Sequence, residues 1–354
     1  MTPGEIRSAA RIDDRVRAEA RARVDGLAKP LGALGRLEDA MVWLAGVQGT
    51  AWPHPPRDVS VVVFAGDHGV TADESVSAYP REVTALMVRE FLRGGAAVNV
   101  LARAHGARVR VLDLGVDDDL AETPDDVRRH KVRRGSGAIH REDALTTVEV
   151  VAAMSAGRAV ADEEVDAGAD LLVPGDMGIG NTTVAATVVG TLLGLGADQV
   201  VGRGTGVDDP TWHGKREAIA IALERARPHA GDPVAVLRTV GSADLAAATA
   251  FLVRAAERGT PVLLDGVVSG ACALLAERLS PGARAWWWAG HRSTEPAHRL
   301  ALDALDLAPL LDLELRLGEA SGALTALPLL RTAAVVLSEM ATLESVTEQA
   351  TVLQ

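Results

Sequence analysis

The chain holds one cysteine, Cys272, among 354 residues. A lone thiol cannot close an internal disulfide, and no metal-ligand spacing surrounds it. A reducing, cytoplasmic compartment is the expectation. Positive charge is also short: 36 Lys and Arg stand against 48 Asp and Glu, a net charge of -12, with the signs mixed along the chain. That balance excludes a nucleic-acid footprint and an anionic-membrane surface. The N-terminal "MTPGEIRSAARIDDRVRAEARARV" is charged throughout and lacks an apolar signal core. The longest apolar stretch, 184–197, ends at Asp198, short of a membrane span. The nine histidines form no HExxH and do not cluster with the cysteine, so no metal is assigned. Low-complexity tracts and repeats are absent. Apolar content is that of an ordinary globular protein, and the length suits one large domain or two smaller ones.

What the chain does have is glycine at the ends of apolar runs. "VSVVVFAGDHG" (59–69), "RVRVLDLGVDDD" (108–119), "DLLVPGDMGIG" (170–180), "PVLLDGVVSG" (261–270) and "RAWWWAGHRSTE" (284–295) each read as a strand ending in glycine and polar residues. A weaker sixth is "DQVVGRGTG" (198–206). Helical stretches follow each. Continuous apolar strands alternating with helices predict a parallel sheet of about six strands, covered on both faces. Ligands of such sheets sit beyond the carboxyl ends of the strands, so a site assembled from several distant loops is expected. Residues 5–27 read as an exposed helix, and 115–150 as an irregular excursion. Residues 37–44 and the leucine- and alanine-rich C-terminal region supply further helices, which pack together as a small second lobe. The lobe is assigned to 1–50 and 290–354, and a large α/β body to 51–289.

Several stretches offer chemistry. In "GDMGIGNTT" (175–183) a glycine-rich turn opens a helix, which presents backbone N–H groups and a positive dipole end to an anion. A tight turn with a good N-cap gives the same letters. The spacing is neither a Walker loop nor clearly Gly-x-Gly-x-x-Gly. "GRGTG" (202–206) repeats the theme, and Lys215 lies on the helix expected after it; Arg203 and Lys215 read equally as surface charges. Asp67 and His68 form either a polar wall or an Asx-type turn. Trp286, Trp287 and Trp288 read as sheet packing. Glu319, in "RLGEASGA" (316–323), is a first-turn helix acid or a general base in an apolar setting.

Taken in order, "KPLGALGRLE" (29–38), "FAGDHGV" (64–70), "VSAYPREVT" (76–84), "GGAAVNVLAR" (94–103), "GDMGIGNTT", "GRGTG", "PVLLDG" (261–266), "GHRSTEP" (290–296) and "RLGEASGA" resemble the nicotinate-nucleotide:dimethylbenzimidazole phosphoribosyltransferase family over nearly the whole chain. The resemblance implies a Rossmann-like fold and a homodimer. It implies transfer of phosphoribose from nicotinate mononucleotide to 5,6-dimethylbenzimidazole without metal or cofactor, yielding α-ribazole 5′-phosphate for the cobalamin lower ligand. By the same resemblance Glu319 is the catalytic base. Phosphate and ribose contacts fall to Asp176, Gly178, Gly180, Asn181, Thr182, Gly204, Thr205, Gly206 and Lys215. The base pocket falls to Ser77, Leu86, Met177, Ser293 and Leu317. The chain departs from the family pattern at Asp176 (glutamate expected), Leu86 (about where a glutamine lines the base pocket), Ala297 and Ala320 (both glycine), and in "GSGAIH" (135–140), which lacks an asparagine. These bear on base specificity. Adenine or another benzimidazole as acceptor, and a non-catalytic nicotinate-nucleotide sensor, are the competing readings.

Overall fold

The computed structural model describes residues 6–352. The five strongest apolar runs become β1 (Val59–Gly66), β2 (Ala107–Gly115), β3 (Leu171–Met177), β4 (Val262–Leu264) and β5 (Trp287–Ala289). They form one sheet in the order β2-β1-β3-β4-β5, every neighbouring pair parallel. Val59 stands opposite both Ala107 and Leu171, and Leu264 opposite Ala289. Every residue of β1 is buried, so the central strand is covered on both faces, as its unbroken apolar run requires.

The helices are α1 (Asp14–Gly26) and α2 (Arg36–Gln48) before β1, then α3 (Val70–Asp73), α4 (Val83–Arg93) and α5 (Ala97–His105) before β2. Between β2 and β3 come α6 (Asp125–Arg128) and α7 (Thr147–Asp166). Next are α8 (Asn181–Leu193), α9 (Ala197–Val200), α10 (Asp209–Ala226), α11 (Pro233–Val240) and α12 (Ala243–Arg258). The chain continues through β4, α13 (Val267–Leu279) and β5, and then α14 (Pro296–Leu305), α15 (Ser321–Glu339) and α16 (Leu343–Val352). Helices α4 and α12 each pack across β1, β2 and β3. Helices α1, α2 and α15 pack in series, and α15 also meets α5 and β4, so its long apolar stretch is a core helix.

Two expectations change. The sixth strand does not form: residues 197–200 are the single-turn helix α9, and 201–206 run on as a loop. Two valines followed by three glycines in five residues give too little apolar side chain to hold a strand in a sheet. The first helix starts at Asp14 rather than at residue 5, because the Asp13 carboxylate accepts from Arg15 N–H and caps it there. Residues 1–5, the start of that expected helix and of the lobe, and 353–354 at its other end lie outside the described residues. The irregular excursion after β2 is as expected, broken only by α6 until α7 begins at Thr147.

Candidate active site

The strand order turns back at β1: β2 lies on one side of it and β3 on the other. At such a point the loops leaving the two strands diverge and leave a crevice at their carboxyl ends. A cleft of about 620 Å³ lies there. One wall is the turn after β3 with the start of α8: Asp176, Gly178, Ile179, Gly180, Asn181 and Thr182. Val76 and Ser77 come from the loop after α3, Gly204 and Thr205 from the loop after α9. Gly266, Val267 and Val268 follow β4; His291, Ser293 and Glu295 follow β5; Arg316, Leu317 and Gly318 precede α15.

The glycines there answer to contacts. A Cβ on Gly178 would fall 2.1 Å from the Gly66 carbonyl oxygen and 2.8 Å from His68 Nε2, so β3 can pass this close to the end of β1 only without a side chain. Gly204 has φ +51°, and a Cβ there would meet Thr182 Oγ1 at 2.9 Å and Lys215 Nζ at 3.0 Å. The Gly204 Cα therefore lies against the lysine head group. Lys215 projects from α10 and is wholly buried, and its Nζ donates to Thr182 Oγ1 at 2.8 Å. Burial holds its ammonium below the usual lysine range, and the negative charge of Glu295 partly offsets this. A buried cation beside a glycine turn and a helix N-terminus is poised for an anion.

Asp176 ends β3 and accepts from Asn181 Nδ2 at 2.6 Å. Burial, then the charges of Asp265, Asp244 and Glu319, push its carboxyl well above the ordinary range. Glu319 is 6% exposed. Its Oε2 accepts from the Val98 N–H, in the first turn of α5, at 3.4 Å. Burial raises its pKa, that helix N–H opposes the rise, and Asp265 adds to it. The backbone carrying it is unusual: Gly318, Glu319 and Ala320 have φ of +85°, +60° and +69°, a left-handed run that two L side chains adopt only when surroundings impose it. Gly318 lies against Asp176, a Cβ there falling 3.2 Å from Oδ2, so the two carboxylates belong to one neighbourhood.

Of the residues singled out in the sequence, Asp176, Gly178, Gly180, Asn181, Thr182, Gly204, Thr205, Ser77, Ser293 and Leu317 line this one cleft. Lys215 and Glu319 are not lining residues: Lys215 stands directly behind Gly204, and Glu319 follows the lining Gly318 in the chain. Thr205 Oγ1 accepts from Ala78 N–H at 2.9 Å, which ties the loop after α9 to the loop bearing Ser77. Gly206, Met177 and Leu86 are not among the lining residues. Gly206 faces Arg316, and Leu86 is 59% exposed on α4. Asp67 does not reach the cleft: it accepts from Asp117 N–H at 2.8 Å. His68 lies behind Gly178, 3.7 Å from Asp244. Among the lining side chains not singled out, three carry ionisable groups: His291, Glu295 and Arg316. The first two lie inside "GHRSTEP" and the third opens "RLGEASGA", so each was in view as a letter, but nothing in a single sequence shows that His291 and Glu295 are buried or that Arg316 turns to Gly204.

A crevice at the sheet's turning point, glycine turns backed by a buried lysine, and the buried carboxylates of Asp176, Glu295 and Glu319 define an α/β enzyme site suited to a small charged substrate. A family model described as Phosphoribosyltransferase matches residues 9–347. The chain belongs to that family of phosphoribosyltransferases. Proteins called nicotinate-nucleotide–dimethylbenzimidazole phosphoribosyltransferase from Mycolicibacterium paratuberculosis and Mycobacterium tuberculosis are 60% and 57% identical to it. The first match covers 92% of each chain, the second 93% of this chain and 91% of the relative. The crystal structure of CobT from Thermus thermophilus superposes with a TM-score of 0.89 at 48% identity, covering 94% of this chain and 98% of that one.

Proposed function

We propose that this enzyme transfers the phosphoribosyl group of nicotinate mononucleotide to 5,6-dimethylbenzimidazole, giving α-ribazole 5′-phosphate and nicotinate for the cobalamin lower ligand. The observation that carries the reading is the pairing, in one neighbourhood, of an anion cradle built around Lys215 with the buried carboxylate of Glu319. The nucleotide's phosphate lies against Gly178, Gly180, Asn181, Thr182, Gly204 and Thr205, with Lys215 behind. The acceptor base lies toward Ser77, Ser293 and Leu317.

The chemistry balances without a further reagent. The bond between C1′ and the pyridinium nitrogen breaks, and its electron pair neutralises that ring, so nicotinate departs without protonation. One benzimidazole nitrogen forms the new bond to C1′ from the opposite face, which turns a β linkage into an α linkage. The other nitrogen gives its proton to Glu319. A positioned base of this kind contributes about 10² to 10⁴ in rate. Holding both rings on opposite faces of one ribose adds a proximity term. Asp176 is held toward its neutral form in the free protein. A bound pyridinium shifts it back toward the carboxylate, which then faces the positive charge that spreads over the ribose.

We retain the division into a helical lobe (1–50 and 290–354) and an α/β body (51–289), which the serial packing of α1, α2 and α15 supports. The enzyme is read as a cytoplasmic homodimer. Exposed Leu86 and Leu92 on α4 and Val100 on α5 favour burial against a second copy, and a monomer mass by light scattering would count against it. The function itself is tested by incubating the enzyme with nicotinate mononucleotide and equal amounts of dimethylbenzimidazole and adenine, and weighing the ribotide formed. The dimethylbenzimidazole product is expected. Adenine ribotide alone would reassign the acceptor, and tight nucleotide binding with no ribotide would make the protein a sensor.

A further inference from the structure

The peptide of Gly204 is held from both sides. Its N–H donates to Glu295 Oε1 at 2.8 Å, and its carbonyl accepts from Arg316 Nη1 at 2.8 Å. Its Cα meanwhile lies against Thr182 Oγ1 and Lys215 Nζ. Whatever presses on the cradle presses on this peptide. Arg316 is the more informative of the two tethers, because it is borne by the segment that carries Glu319. Its guanidinium is seated on Gly206, where a Cβ would come 3.3 Å from Nη2.

Between α14 and α15 the chain has neither strand nor helix. Its other backbone tethers run to the end of β5 and the residues after it: Leu310 N–H to Ala289 oxygen, Leu311 N–H to Gly290 oxygen, Arg292 N–H to Leu311 oxygen, and Thr294 N–H to Leu315 oxygen at 3.4 Å. Arg316 alone of these ties reaches across to the loop after α9, and it does so two residues before the left-handed run at 318–320. That run has no regular hydrogen-bond ladder to fix it, so its setting depends on how its ends are pinned.

We propose that Arg316 is a positioning residue that couples occupation of the phosphate cradle to the setting of Glu319. This rests on the assignment of Lys215 to the phosphate and of Glu319 to proton acceptance. When the phosphate engages Lys215 and the 204–205 turn, the Gly204 carbonyl fixes the guanidinium, and the guanidinium fixes the start of the loop that aims the carboxylate. Binding energy from a remote part of the substrate is thereby used at the reacting centre.

The test uses a substrate cut in two: nicotinate riboside, which lacks the phosphate, with dimethylbenzimidazole and added phosphite dianion. In the wild type, phosphite raises riboside turnover by at least about tenfold at saturation. Arg316→Met keeps the aliphatic stem and removes the donors. It leaves the half-saturating phosphite concentration within about twofold and lowers the maximal activation to less than about twofold. Arg316→Lys, which keeps one donor for the carbonyl and folds if the methionine variant does not, recovers only part of that maximum at the same half-saturating concentration. The proposal is overturned if Arg316→Met keeps the full maximum, if Arg316→Lys matches the wild type, or if the wild type shows no activation. It is also overturned if Arg316→Met only weakens phosphite binding, which would make Arg316 a direct phosphate contact. Failure of the underlying assignment shows separately with the intact nucleotide, as undiminished turnover in Glu319→Gln or an unchanged KM in Lys215→Ala.

Discussion

Glu319 and Lys215 are buried ionisable groups of opposite sign, and burial moves each toward its neutral form. For Glu319 the direction fixes a pH dependence. In the proposed role only its carboxylate form can take the benzimidazole proton, and its pKa lies above the ordinary 4.5. The acid limb of the kcat/KM profile, which reports the free enzyme, therefore lies above 4.5, with activity falling as pH drops through that raised value. The stability sign is the reverse: the folded protein holds this proton more tightly than the unfolded chain, so the group's contribution declines as pH rises from 4.5 through the raised value. Glu319→Gln is expected to lower kcat about 10² to 10⁴-fold and to remove the acid limb, with nucleotide binding retained. A limb that survives the substitution assigns it to another group. At this scale the sequence was legible where several letters agree: two glycine loops and a lysine, expected together, do come together. It was illegible for Glu295 and Arg316, because their bonds to Gly204 depend on the segments after β5 and before α15 lying beside the loop after α9.

Elements were legible in proportion to their apolar length. The eight-residue β1 announced itself, as did the seven-residue β3. β4 and β5 have three residues each and still form: Val262, Leu263 and Leu264 are all buried, as are Trp287 and Ala289. The stretch from 198 to 206 offered two valines and lost them to α9 and a loop. The reach of β3 extends past its hydrogen bonds into the catalytic segment. A Cβ on Gly175 would lie 3.2 Å from the Glu319 carbonyl carbon and 3.3 Å from Ala320 Cβ. Gly175→Ala is thus expected to displace the backbone under the carboxylate and to lower kcat roughly tenfold or more, with far-UV circular dichroism unchanged. Full activity in that variant would mean that the 318–320 run yields without moving its side chain.

Across the whole molecule the cleft draws on six separated stretches of chain, so a bound nucleotide links parts that unfolding must separate. Nicotinate mononucleotide at about 100 times its Kd is expected to stabilise the fold by about 2.7 kcal/mol, read as a rise in Tm. Lys215→Ala shrinks that rise at the same nucleotide concentration, and an unchanged rise would remove the lysine from the phosphate site. That several carboxyl-end loops would converge was legible from the βα rhythm alone. Which loops touch was not, since it follows from the order β2-β1-β3-β4-β5 and not from spacing along the chain. The position of Glu319 beyond the last strand also sets a sequence of events on the ribosome. A growing chain releases the residues of all five strands and Lys215 before the acid proposed as proton acceptor emerges. On the proposed roles, the lysine that would hold a nucleotide thus leaves the ribosome ahead of the acid that would consume it.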